Sequence, residues 1–388
     1  ICYEPEQTQA NTSITDVRPF MVTSMGKTPK WSWTNNIGGG DFLRLFDHEE
    51  NRIPHSSMQA VYIRHGPCLT EVTYSGKAGP NITHRETVSL ARTDDLIRGT
   101  YRIRMDVNAA TDFSRFVIFQ VGSDTYNSTR EKAFAFGDNE GVKEEWKAQW
   151  GGDIYQTQPK EGSGKTPWIS LHQGESTKPH ESGAWANRGI VIREWKARLG
   201  GKEARPWIAE RGLTRHKQES STIDILPPPD LARFETGDYI EATIEHIIAP
   251  QTPEDYYGPN ESLRKALTQH PNGWETIYRE AKGNHRVADV SKGKLIHSYP
   301  NIAIEAQDEK AAFTLQGGIG YVPLTFSNLK SHSSYVLTVD GKTLDQSVHG
   351  NDFWQTDYDA GTKTWSQTYN VPITDDKVHQ LALEIDNQ

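Results

Sequence analysis

Four stretches in the middle of the chain gather side chains that can move protons or grip a hydroxylated ligand: WGGDIYQ (150–156), PWISLHQGE (167–175), KPHESGAWANRGI (178–190) and EHIIAPQTPEDYYGPN (245–260). Imidazole and phenol groups serve as general base and acid near neutral pH, and a guanidinium or carboxamide can hold a carboxylate. Ring faces supply the apolar body that a sugar ring needs, with a few placed polar groups around it. Removing the proton beside a uronate carboxylate and expelling the β-oxygen requires this set of groups. We therefore take His172, His246, Tyr257 and Arg188 as candidate catalytic residues. Trp150, Tyr155, Trp185, Asn187, Asn36 and Tyr256 are the candidate substrate contacts. Hydrolysis would instead need two carboxylates about 5–9.5 Å apart. Glu71, Asp153, Glu175, Glu181 and Glu245 are available, and the sequence does not pair them. Taken singly, Trp185 and Trp195 read as core, and Arg188 and Arg193 as ion-pair partners. Only the cluster as a whole points to a site.

Asn36 belongs to WSWTNNIGGGDF (31–42), whose glycine triplet invites a phosphate-loop reading. A Walker loop needs Gly-Lys-Ser/Thr after its glycines, and here Asp41 and Phe42 follow. The triplet is better read as a tight bend or a close backbone approach before a strand that opens at DFLRLFD. His172 and Glu175, like His216 and Glu219, stand three apart, but neither pair lies on a convincing helix. We expect no metal site and no cofactor. No G-x-S-x-G elbow is present, and Cys2 and Cys68, free or paired, do not suggest thiol catalysis.

The formal net charge of −9 over 388 residues argues against a nucleic-acid partner. No apolar run reaches the roughly 18 residues of a membrane span. Hydrophobic residues make up only 35% of the chain, but 11 Trp, 15 Tyr and 12 Phe supply bulky core material. A chain that opens at Ile1 reads as a processed or truncated product, with a secreted or periplasmic setting and membership of an oligomer or a larger chain both open.

The candidate residues must be positioned by strands. MQAVYIRHG (58–66), LTEVTYSG (69–76), NITHRETVSLA (81–91) and LIRGTYRIRMDV (96–107) alternate apolar with polar residues and end in turn formers. FSRFVIFQVGS (113–123) reads as an inner strand. Strands resume over 187–200, 221–226 and 238–250, with LPPPD as a rigid connector between the last two. Residues 125–181 read as long loops interrupted by one short helix, EGVKEEWKAQW (140–150). Further helices are expected at PNESLRKALTQH (259–270), capped by Asn260, and at NGWETIYREAKGN (272–284). From residue 320, five short strands with a V-D-G-K hairpin at 339–342 describe a small antiparallel sandwich.

We therefore expect an all-β protein: a large antiparallel β-sandwich over 1–255, a short helical connector over 256–290, and a smaller C-terminal β-sandwich over 291–388. The strand pattern, the His/Arg/aromatic loops and the trailing β-domain, over about residues 30–300, resemble the galactose-mutarotase-like super-sandwich. That fold occurs in polysaccharide lyases and glycoside hydrolases of large bacterial carbohydrate-active proteins. The resemblance implies a poly- or oligosaccharide substrate, with β-elimination ahead of hydrolysis and a non-catalytic glycan-binding module as the third reading. The helices that precede the sandwich in toroid-containing lyases have no counterpart here.

Overall fold

The computed structural model describes residues 41–66, 69–91, 97–123, 132–147, 154–156, 159–173, 186–215, 218–250, 261–268, 286–297, 301–316, 320–332, 335–344, 354–373, 375, 377 and 378–386, plus strand backbone at 2–3, 14–16, 20–24 and 30–33. The fold is all-β: sheets stacked as sandwiches, antiparallel except where Ile302–Glu305 pairs parallel with Gly320–Leu329, with one short helix among the described residues. No helix among them is long and apolar enough to cross a membrane. Packing divides the chain into two units. The first comprises Ile1–Ala60, Tyr74–Glu86 and Tyr101–His270, and the second Val61–Thr73, Thr87–Thr100 and Pro271–Gln388.

In the first stretch of chain the strands are β1 (Phe42–Phe46), β2 (His55–His65), β3 (Leu69–Ala78), β4 (Ile82–Ala91), β5 (Ile97–Val107), β6 (Arg115–Ser123), β7 (Lys132–Asp138) and β8 (Gly141–Lys147). They continue with β9 (Ile154–Gln156), β10 (Trp168–Gln173), β11 (Ala186–Leu199), β12 (Trp207–Arg215), β13 (Gln218–Leu226) and β14 (Tyr239–Pro250). The smaller sheet runs β9-β12-β13-β6-β1, and the larger β8-β7-β10-β11-β14-β5-β4-β3-β2. The alternation expected for 97–107 holds over 101–107, where Tyr101, Ile103, Met105 and Val107 are buried and Arg104 is exposed, whereas Arg98 and Thr100, expected on the wet face, are buried too. The Tyr101 ring meets Phe119 of β6 at 4.7 Å and Phe42 of β1 at 6.5 Å, which stitches the two sheets together.

The opposite face of the larger sheet is covered by the helix α1 (Glu261–Thr268). Leu263 and Leu267, one helical turn apart, are both buried, as the i, i+4 spacing predicts. Leu267 sits over Gly189 of β11. A Cβ at that glycine would lie 2.6 Å from the leucine Cδ1, so only glycine leaves room for the helix. Asn260 and the helix expected at 272–284 lie outside the described residues.

Residues 140–150 correct the sequence reading. Val142 and Trp146 suit a helical stripe, but Gly141–Lys147 form the edge strand β8, pairing Phe134 with Trp146 and Gly137 with Val142, and 148–150 lie outside the described residues. Asp138 Oδ1 accepts the Glu140 amide at 2.8 Å to close the hairpin, and the Phe134 and Trp146 rings stack at 5.9 Å. Sheet pairing outweighs a helical stripe that is only one turn wide. The stretch 125–181, expected to be mostly loop, also carries β7, β9 and β10.

The second unit contains a smaller sandwich of β15 (Arg286–Lys292), β16 (Lys294–His297), β17 (Ile302–Glu305), β18 (Ala311–Gln316), β19 (Gly320–Leu329), β20 (Tyr335–Val339), β21 (Trp354–Asp359), β22 (Thr364–Ile373) and β23 (Val378–Ile385). Its sheets run β15-β18-β23-β20 and β16-β17-β19-β22-β21, closing over Phe313, Leu324, Phe326, Leu337, Tyr369 and Leu383. The hairpin at Val339–Lys342 carries Asp340 at φ 51° and Gly341 at φ 75°, the two positive angles of a type I′ turn. The same unit takes in 61–73 and 87–100. The Gln355 side chain donates to Leu69 O at 2.7 Å and accepts from Leu69 N at 2.8 Å, imitating a strand partner. Glu71 is held by Arg64 and by the Ser89 hydroxyl.

Candidate functional site

Strands β10, β11 and β14 are neighbours, and their register sets Leu171 opposite Arg188 and Ile190 opposite His246. The two-residue period then puts Arg188 and His246 on one face, and backbone positions 172 and 187 on the other. Arg188 and His246 are thus brought together, but in the interior between the two sheets. Arg188 is buried and its Nη1 donates to Gly122 O of β6 at 3.0 Å. Neither ring nitrogen of His246 has a hydrogen-bond partner among the described residues. Burial first, and the Arg188 charge second, bring the His246 pKa down to about 3, so the imidazole is neutral in the folded protein.

For His172, Asn187 and Tyr155 only the strand positions are described. Asn36, Trp150, Trp185, Tyr256 and Tyr257 lie outside the described residues, as do the carboxylates of Asp153, Glu175 and Glu181. Glu245 is engaged by Arg193 at 2.6 Å on the face that α1 covers, and Glu71 by Arg64. Neither carboxylate stands open to a substrate.

A cavity lies elsewhere in the first unit. Phe119 and Ile225 pair across β6 and β13, and Phe119 packs against the larger sheet. Asp224, one residue before Ile225, therefore points to the outer face of the smaller sheet. A cavity of about 150 Å³ opens there, lined among others by Arg115, Phe116, Asp224, Leu226, Pro228 and Leu231. Asp224 is only 1% exposed, and its Oδ1 accepts from Gln120 Nε2 at 3.0 Å. Arg115 is held at the other side of the cavity, its guanidinium carbon 3.5 Å from the Phe46 ring centroid and its Nε 3.6 Å from a Glu50 oxygen. Ser114 adds a hydroxyl that donates to Phe46 O at 3.3 Å.

The connector Pro227-Pro228-Pro229 forms a stiff wall, closed by the Leu231 amide on Pro228 O at 3.0 Å. A void of this volume takes one six-membered ring. Its contents are an anionic acceptor, a cationic donor, a hydroxyl and apolar walls, which suits a ring with hydroxyls on its edge and C–H groups on its face. Asp224 escaped the sequence reading because it sits in an alternating strand where a charged residue reads as the wet side, and Arg115 because it opens a segment read as an inner strand.

No family model matches the chain, and no curated protein sequence matches it. Solved structures similar to it include a GH36 alpha-galactosidase, AgaB, from Geobacillus stearothermophilus, at 9% identity and a TM-score of 0.35, covering 63% of this chain and 34% of that one. The galactosidase domain of the alpha-galactosidase-sucrose kinase AgaSK is similar at 8% identity and a TM-score of 0.32, over 58% of this chain and 32% of that one. An alpha-galactosidase from Lactobacillus brevis is similar at 10% identity and a TM-score of 0.31, over 63% and 35%. The chain spans about a third of the length of these structures. Likeness at such scores assigns neither fold nor activity, and the all-β architecture rests on the strands described above.

Proposed function

We propose that the chain is a carbohydrate-active protein that recognises one sugar unit of a poly- or oligosaccharide in the cavity beside Asp224. The observation that carries this reading is the cavity itself, a ring-sized space with a carboxylate and a guanidinium on its lining and proline, leucine and phenylalanine walls. A buried carboxylate fixed by Gln120 accepts sugar hydroxyls, and the apolar walls face the C–H side of the ring. A secreted or periplasmic setting fits a protein that meets glycans.

Recognition is favoured over β-elimination. A lyase needs its base and its carboxylate-holding group against the substrate, whereas His246 and Arg188 are enclosed between sheets. Hydrolysis through Glu245 or Glu71 would require breaking an ion pair at each.

Calorimetric titration of the full chain with neutral and uronate oligosaccharides tests the proposal, with ultraviolet absorbance followed in parallel for unsaturated product. Saturable binding without product is expected, weakened about tenfold by Asp224→Asn and by Arg115→Gln. Unsaturated product would restore the elimination reading. Unchanged affinity in both variants would remove the cavity from the function.

A further inference from the structure

One end of the small sandwich in the second unit brings together three turns and three aromatic or imidazole rings. Tyr358 of β21 pairs with Trp365 of β22, their ring centroids 4.9 Å apart and tilted by 51°. His332, in the loop after β19, lies 5.2 Å from Trp365 at 41°. Tyr358 is 48% exposed and His332 is exposed as well, while Trp365 is half-buried. The group is held in place from behind. The buried Gln367 donates to His332 O at 3.0 Å and accepts from the Tyr369 hydroxyl.

The surrounding turns are built with care. The Tyr335 hydroxyl donates to Glu309 at 2.5 Å and accepts the Lys330 and Ser331 amides, and Lys330 Nζ stands 3.3 Å from Glu309. Asp308, Glu309, Asn328 and Lys363 all take left-handed φ angles between 52° and 63°, half of the eight non-glycine residues that do so among the described ones. Left-handed non-glycine residues cost conformational energy and concentrate where the backbone must hold a particular shape. Loops gathered at one end of a sandwich are a usual place for binding.

We infer that this end of the small sandwich is a second saccharide-binding surface, in which Tyr358, Trp365 and His332 stack on the C–H faces of pyranose units and Lys330 and Glu309 meet their hydroxyls. Tilted rings do not form one flat plate, so they suit successive units of a twisting chain better than a flat apolar partner. The inference rests on the reading that the protein recognises glycans, but it involves residues far in sequence from the cavity.

The test is calorimetric titration of the full chain with cellohexaose, maltohexaose and xylohexaose, for the natural sequence and for Tyr358→Ala, Tyr358→Phe and Asp224→Asn. Two binding events are expected with at least one of these sugars. Tyr358→Ala should weaken one of them about tenfold, Tyr358→Phe should stay within about twofold, and Asp224→Asn should weaken the other. If Asp224→Asn abolishes all binding and Tyr358→Ala changes nothing, the second surface is overturned while the proposed function stands. If the natural sequence binds none of the three, the second surface is overturned, and the proposed function falls only if the neutral and uronate oligosaccharides of its own test also fail to bind. If Tyr358→Ala impairs self-association and not sugar binding, the surface serves a second copy and the inference fails.

Discussion

His246 and Arg188 carry the chemistry of an acid–base pair, yet their setting makes them a structural pair. The imidazole is buried and neutral, with its pKa lowered from 6.5 to about 3. The unfolded chain therefore takes up this proton before the folded chain does. The stability contributed by the neutral ring is whole above about pH 6.5. It erodes by about 1.4 kcal/mol per unit as the pH falls towards about 3. Thermal unfolding followed from pH 7 to pH 4 should show His246→Leu losing less stability across that window than the natural sequence. Equal slopes would mean that His246 is protonated, or reaches water, in the folded state. Gln355 offers a second test. Its amide satisfies both the N–H and the C=O of Leu69, so Gln355→Ala should cost about 2–3 kcal/mol, read as a lower urea midpoint.

Elements were legible where their pattern matched their partner. The alternation over 101–107 matches the burial of β5, and Leu263 with Leu267 produced the apolar stripe of α1, whereas Arg98 and Thr100, read as wet, are buried. Residues 140–150 failed because Val142 and Trp146 fit both a helical face and an edge strand, and only the facing strand β7 decides between them. The docking of α1 depends on a residue that the sequence does not advertise. Gly189 leaves the space that Leu267 fills, so Gly189→Ala should destabilise the first unit by about 1–3 kcal/mol. Adding Leu267→Ala should recover part of that loss in a double-mutant cycle measured by urea unfolding. Strict additivity of the two changes would show that the helix does not pack on that glycine.

At the scale of the molecule, the sandwich class and the small C-terminal sandwich were readable from short strands with turn formers between them, including Asp340 and Gly341 at the type I′ turn. The recruitment of 61–73 and 87–100 into the second unit was not, because it depends on contacts such as Gln355 with Leu69, nearly 300 residues apart. The cavity was hidden for the same reason. Arg115 and Asp224 come to line one cavity only through strand pairing, and LPPPD turns out to be a wall of the cavity as well as a connector. Sugar recognition at that cavity is the central claim, and the most direct measurement is the affinity of Asp224→Asn beside the natural chain for an oligosaccharide that the natural chain binds. Circular dichroism should confirm that the two share a fold. The account predicts about a tenfold loss of affinity. Equal affinities in two equally folded proteins would contradict it.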